Sequence, residues 1–136
     1  MLAERIKIII ADDYSPFRNA LKKLFNRTEE VDVEILGEAE NGQQLVELVE
    51  EKQPDIVISD IGMPIMNGID ATKIIKRKFP NVKVIAFSLF DDENHIDGMI
   101  DAGASGYLLK NISIEHIIAG ITSVYNGATY FKTSMS

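Results

Sequence analysis

The chain has 136 residues, 46% of them apolar, with 21 acids against 14 bases and a net charge of -7. That length supports one domain with its own core, and that apolar content excludes a disordered chain. The negative balance argues against nucleic acid or an anionic membrane as a partner of this domain itself, and the lack of cysteine excludes disulfides and thiolate metal sites, as expected in the cytoplasm.

Met1 to Lys7 carries mixed charges and lacks the form of a signal peptide, and no apolar stretch approaches membrane-spanning length, so no membrane partner is expected. Ile6 to Ala11 is a continuous β-branched run, the pattern of a strand covered on both faces. Ser15-Pro16 reads as N-cap and first helical position, with Phe17, Leu21, Leu24 and Phe25 on one face of the helix that follows. Val31, Val33 and Ile35 alternate with acids, as in a strand exposed on one side. Asn41 and Gln44 resemble a capping box before Leu45, Leu48 and Val49. Ile56 to Ser59 is a third strand. Asn67-Gly68 then opens a helix that uses Ile69, Ile74 and Ile75 and stops before Pro80. Val82 to Phe87 is a fourth strand, and Glu93 to Ala102 a polar helix that Gly98 weakens by roughly 1 kcal/mol relative to alanine. Gly106 to Leu109 is a short fifth strand. Ser113 caps a last helix with a broad apolar stripe through Ile114, Ile117, Ile118, Ile121 and Val124.

Strands alternating with helices in this way predict an α/β fold: a doubly wound, five-stranded parallel sheet with five helices. The half-polar second strand belongs at an edge and the apolar first and third strands at the centre. A flavodoxin-like order 2-1-3-4-5 meets both demands, and ligands then bind beyond the carboxyl ends of strands one and three.

Acids stand at those ends. Asp12 and Asp13 follow the first strand, and Asp60 follows the third, ahead of Ile-Gly-Met-Pro-Ile-Met-Asn-Gly. Two such charges about 4 Å apart repel by about 4 kcal/mol at an effective dielectric of about 20, so a proton or a hard cation must relieve them. Oxygen donors without His or Cys point to Mg²⁺. The fourth strand ends at the hydroxyl of Ser88 and the fifth at the ammonium of Lys110. Carboxylates, a hydroxyl, an ammonium and a metal together suit a phosphoryl group, with one carboxylate oxygen attacking phosphorus in line.

These motifs resemble, in order and over essentially the whole chain (1–136), the receiver domain of two-component response regulators. Asp12-Asp13 is similar to the family's acidic pair, Asp60 with Met63-Pro64 and Asn67-Gly68 to its phosphoacceptor loop, Ser88 to its hydroxyl position, and Ala104 through Lys110 to its aromatic-and-lysine segment. The resemblance implies that Asp60 accepts a phosphoryl group from a histidine kinase. It implies that Asp13, Asp60 and the main-chain carbonyl of Gly62 coordinate Mg²⁺, with Asp12 acting through water, and that Ser88 and Lys110 hold the phosphoryl oxygens. Ser88 would then move and Tyr107 turn inward, reshaping the surface of helix four, strand five and helix five. Gly62 and Phe90 occupy positions where the family tunes the lifetime of the acyl phosphate. Asn111 replaces the family's common proline after the lysine, which allows a trans Lys110–Asn111 bond. That replacement, with Val124-Tyr125-Asn126-Gly127 to Tyr130, resembles the LuxR/NarL-type subfamily.

A linker to an output domain is accordingly expected to begin at about 127–136, with DNA contacted only through a helix-turn-helix outside this chain. A stand-alone signalling receiver is the alternative. An aspartate-nucleophile phosphatase would carry Asp-x-Asp after strand one, whereas these acids are adjacent. A partner-binding pseudo-receiver would not need Ser88 and Lys110. The domain is therefore expected to catalyse only its own phosphorylation and dephosphorylation. The stripe on the last helix suggests a homodimer on phosphorylation. His95 and His116 are expected on helices away from the crevice, as surface or structural groups.

Overall fold

The β-branched runs and the amphipathic segments between them fold alternately in the computed structural model, which describes residues 5–132. Along the chain these are β1 (Ile6–Ala11), α1 (Ser15–Arg27), β2 (Val33–Ala39), α2 (Gly42–Lys52), β3 (Ile56–Ser59), α3 (Gly68–Lys78), β4 (Lys83–Ser88), α4 (Glu93–Ala102), β5 (Gly106–Leu109), α5 (Ile114–Tyr125) and β6 (Tyr130–Lys132). All pairings are parallel, in the order β2-β1-β3-β4-β5-β6. The expected order is present, but the sheet has six strands, not five.

Part of the stretch 127–136, where a linker is expected to begin, is this sixth strand: residues 130–132 pair with β5, and 133–136 lie outside the described residues. Three residues are too few to show a period in sequence. What seats them is the space left by two glycines. A Cβ at Gly120 would lie 3.2 Å from Tyr130 Cδ1, and one at Gly106 would lie 3.0 Å from the Tyr130 carbonyl oxygen. The Tyr130 hydroxyl lies 2.7 Å from His116 Nδ1, so His116 is a structural group on α5, as expected.

Strand alternation divides the core between two faces. Ile9, Val57, Val84 and Tyr107 pack on one side against Leu45 of α2, Ile75 of α3 and Met99 of α4. Ile8, Ile10, Ile58, Ile85 and Leu108 pack on the other against Leu21 and Phe25 of α1 and Ile121 and Val124 of α5. The stripe on α5 is thus largely consumed by the sheet; of its isoleucines, Ile114 remains exposed. β2 is half-buried along most of its length and lies at the edge, as its alternating acids predict.

Helix starts follow local chemistry, with two corrections. Tyr14, not Ser15, is the N-cap of α1, and the Ser113 side chain makes no capping bond. Asn41 caps as expected, accepting from the amide of Gln44, and Asn67, expected only as a turn residue, caps α3 by accepting from the amide of Asp70. Gln44 Oε1 reaches back to the amide of Glu40, one residue short of a standard capping box. Gly98 has a packing reason, since a Cβ there would meet Ile69 Cδ1 of α3 at 2.8 Å.

Candidate functional site

Register builds the site. Ala11 pairs with Ser59, Ser59 with Ala86, and Ser88 with Leu109. The residues that follow Ala11, Ser59 and Leu109 therefore leave the sheet along one edge, and Ser88 stands there at the end of β4. Asp12, Asp13 and Asp60 each bring a carboxylate oxygen to within 4.8 Å of the others. Lys110 joins them: its Nζ lies 2.7 Å from Asp12 Oδ2 and 3.3 Å from Asp60 Oδ2. The lysine is walled in, 4% exposed, with its ammonium 4.0 Å from the centre of the Phe17 ring. Its bond to Asn111 is trans, as no cis peptide occurs among the described residues.

The loop after Asp60 is tied down by backbone. The Asp60 amide donates to the Ala11 carbonyl at 2.9 Å, and the Gly68 amide to the Ile61 carbonyl at 2.8 Å. A Cβ at Gly68 would fall 2.0 Å from the Asp60 carbonyl oxygen, so only glycine lets α3 start this close. The Gly42 amide donates to the Met66 carbonyl and fixes the far side of the loop. At its tip Ile65 is exposed with φ 69°, a left-handed conformation that a β-branched residue rarely adopts. Gly62 lies on this loop two residues past Asp60 and is exposed.

Three carboxylates face one ammonium, leaving negative charge in excess. Burial is the main cause that holds the Asp60 carboxyl above its ordinary value; Lys110 opposes the rise and the Asp12 charge adds to it. Asp13 is exposed at the rim, where a hydrated cation has access. This donor set, with oxygen alone and an unmet positive requirement, fits Mg²⁺.

The opposite wall is the loop between β4 and α4. The buried Ser88 hydroxyl accepts from the Phe90 amide at 3.0 Å. Tyr107 is already turned inward and fully buried, its hydroxyl donating to the Phe90 carbonyl at 2.6 Å. Burial raises the Tyr107 hydroxyl above its ordinary value, with partial relief from the Ser88 hydroxyl.

Sequence reading missed three contributors. In sequence Phe17 reads only as part of the α1 face. Arg18 donates to the Asp12 carbonyl and, through Nε, to Glu38 Oε1 at 3.0 Å, so it braces the acidic turn. The Glu38 carboxyl is held below its ordinary value, chiefly by Lys22 and also by Arg18. His95, expected away from the crevice, stacks on Phe90 with ring centres 3.9 Å apart. No local motif marks this contact; only the turn after Ser88 creates it.

A parallel sheet of this order, with aspartates, a hydroxyl and a lysine at one edge, has the form of a receiver domain. The model of the response regulator receiver domain matches residues 8–122, and the chain belongs to that family. It is 37% identical over 132 residues to the transcriptional regulatory protein DegU of Brevibacillus brevis, covering 97% of this chain and 55% of DegU. It is 43% identical over 122 residues to the transcriptional regulatory protein LnrK of Bacillus subtilis, covering 90% of this chain and 54% of LnrK. The chain thus spans about half the length of these relatives. A solved DNA-binding response regulator of the LuxR family from Staphylococcus aureus superposes with a TM-score of 0.82 at 34% identity, covering 89% of this chain and 99% of that one. A LuxR-family response regulator from Aurantimonas sp. has the same fold, with a TM-score of 0.87 at 24% identity over 93% of this chain and 89% of that one. The subfamily is therefore the LuxR/NarL type, whose members include transcriptional regulators. No helix among the described residues is long and apolar enough to cross a membrane.

Proposed function

We propose that the domain receives a phosphoryl group on Asp60 from the phosphohistidine of a histidine kinase and switches an output by it. One observation carries this reading: Asp12, Asp13, Asp60 and Lys110 converge beside Ser88 at a single sheet edge. An Asp60 carboxylate oxygen attacks phosphorus, the phosphorus–nitrogen bond breaks, and the imidazole nitrogen leaves with the electron pair. Asp13, Asp60 and the Gly62 carbonyl are the groups that would hold Mg²⁺, with Asp12 acting through water. When bound, the ion supplies positive charge to the phosphoryl oxygens. Lys110 exchanges Asp60 for a phosphoryl oxygen, and Ser88 releases the Phe90 amide to donate to another.

That exchange is the switch. Ser88 and Tyr107 both end on Phe90, so a change at Ser88 passes to α4 and β5, and from β5 to β6 through the Tyr107–Phe131 pairing. The chain acts on no separate metabolite in this reading. Its output is transcription, exerted through a DNA-binding segment outside this sequence, as the names and lengths of DegU and LnrK suggest. Pairing of two copies is a separate proposal, resting on the exposed Ile114 beside the groove between α1 and α5; an unchanged sedimentation coefficient on phosphorylation refutes it.

The test is incubation with acetyl phosphate and Mg²⁺, read by intact mass. One added phosphoryl group is expected, absent in Asp60→Asn and absent without Mg²⁺. Equal modification of Asp60→Asn refutes the assignment.

A further inference from the structure

β6 is three residues long, is paired along one edge only, and is anchored by Tyr130. The Tyr130 amide donates to the Ser105 carbonyl at 3.0 Å, its ring lies against Gly120 and its carbonyl against Gly106, and its hydroxyl meets His116 Nδ1. Register decides where the next residue points. Tyr130 stands opposite Gly106, and Phe131 opposite Tyr107. Side chains at paired positions of parallel strands project to the same face, and successive ones to opposite faces. Tyr130 packs on the α5 side of the core, so Phe131 projects to the α4 side, where Tyr107 is buried. Neighbouring strands lie about 4.8 Å apart, which sets the two aromatic side chains next to each other.

Tyr107 is fully buried, with its hydroxyl on the Phe90 carbonyl, whereas Phe131 is 40% exposed. The tyrosine has one way out. Ala86 of β4 lies opposite it on one flank, and Met99 of α4 packs over the same face of the sheet. An outward turn of its ring must therefore pass over the far edge of β5. Phe131 stands there.

We propose that Phe131, seated by the Tyr130 anchor of β6, is a positioning residue for Tyr107: its ring blocks the outward turn and holds the tyrosine inward before any phosphoryl group arrives. The inference rests on the receiver reading above and adds to it a control on the side of β5 away from Asp60. Docked β6 favours inward Tyr107, and by linkage inward Tyr107 favours docked β6 to the same degree. Without the strand, Tyr107 divides between inward and outward positions, and phosphorylation has to draw it in. With the strand docked, the inward position is already set, so the site is preorganised. Gly127 supplies the joint about which β6 can leave. Its φ of 94° suits glycine, and a Cβ there would meet nothing within 4 Å.

Nitration by tetranitromethane, which modifies accessible tyrosines, tests this on the whole 136-residue chain. Peptide masses report Tyr107 separately from the exposed Tyr14, which serves as internal reference. In the unphosphorylated wild type Tyr107 is expected to stay unmodified while Tyr14 reacts. Phe131→Ala, and Tyr130→Ala, which keeps Phe131 but removes its anchor, are each expected to raise nitration of Tyr107 relative to Tyr14 by about fivefold or more. Phe131→Leu, which keeps the bulk, is expected to match the wild type. Loading with acetyl phosphate and Mg²⁺ should restore protection in both alanine variants and change nothing in the wild type. Tyr107 as protected in the two alanine variants as in the wild type overturns the role of Phe131 and leaves the receiver reading intact. Equal exposure in Phe131→Leu and Phe131→Ala overturns it as well, since the block is one of bulk. A wild-type chain that accepts no phosphoryl group overturns the receiver reading, while nitration of the unloaded chains still decides whether Phe131 holds Tyr107.

Discussion

Replacing Lys110 with methionine keeps the stem against Phe17 and removes one charge. That charge sits 2.7 Å from Asp12 and 3.3 Å from Asp60, with the Asp12 side chain 3% exposed and that of Asp60 12%. Unit charges about 3 Å apart attract by about 5 kcal/mol at an effective dielectric of about 20. Cutting one partner from such a buried pair costs about 3–5 kcal/mol, because the carboxylates keep their desolvation without its compensation. Lys110→Met should therefore lose about 3–5 kcal/mol of unfolding free energy at neutral pH. The pH dependence has a definite sign. Lys110 is the main restraint on the rise of Asp60, with the Ile61 amide adding to it, so loss of the lysine lifts the Asp60 carboxyl further. The destabilisation is then greatest above that raised value and shrinks as pH falls through it toward the ordinary carboxylate range. Urea unfolding at neutral and acid pH, with and without Mg²⁺, measures this. Mg²⁺ should recover part of the loss, and Asp12→Asn combined with Lys110→Met should be less destabilised than Lys110→Met alone. A loss below about 1 kcal/mol at neutral pH, or no rescue by Asp12→Asn, refutes the account of Lys110 as the counter-charge of a buried acidic pair.

Asp60→Asn should be more stable than the wild type at neutral pH in the absence of Mg²⁺. The folded state holds the Asp60 proton more tightly than the unfolded chain, so its ionisation is a cost present above the raised value and gone below the ordinary one. The gain should vanish on acidification, and unfolding curves that keep it at acid pH count against the assignment. Gly68→Ala should lose about 3 kcal/mol and disturb Asp60, because the added methyl meets a backbone carbonyl that cannot yield; thermal unfolding within about 1 kcal/mol of the wild type would show that α3 can shift.

The carboxylate edge was legible because parallel strands buried on both faces are written as unbroken apolar runs, which makes the acid after each run conspicuous. Asp12, Asp60, Ser88 and Lys110 each end such a run or follow its last residue. Their convergence is a matter of register, fixed here by Ala11 opposite Ser59 and Ser88 opposite Leu109. β6 left no trace because three residues cannot show a period, and its anchor depends on glycines far apart in sequence. The apolar stripe of α5 is legible in sequence, but periodicity does not say what a face packs against: Ile117, Ile118, Ile121 and Val124 are buried and Ile114 is exposed. Tyr14 displaced Ser15 as N-cap because Pro16 is tolerated at the second helical position as well as the first. The His95 stack depends on how the chain turns after Ser88, which spacing does not encode.

The Asp60 carboxylate stands on an anvil. Its amide, the carbonyl that abuts Gly68, and the turn pinned by Gly42 all belong to close-packed backbone, whereas Phe90 hangs from two hydroxyls and one imidazole. Chemistry and message are thus divided between unlike materials. Sequence drift on the hanging side can alter how the turn after β4 is held while the geometry around Asp60 stays put.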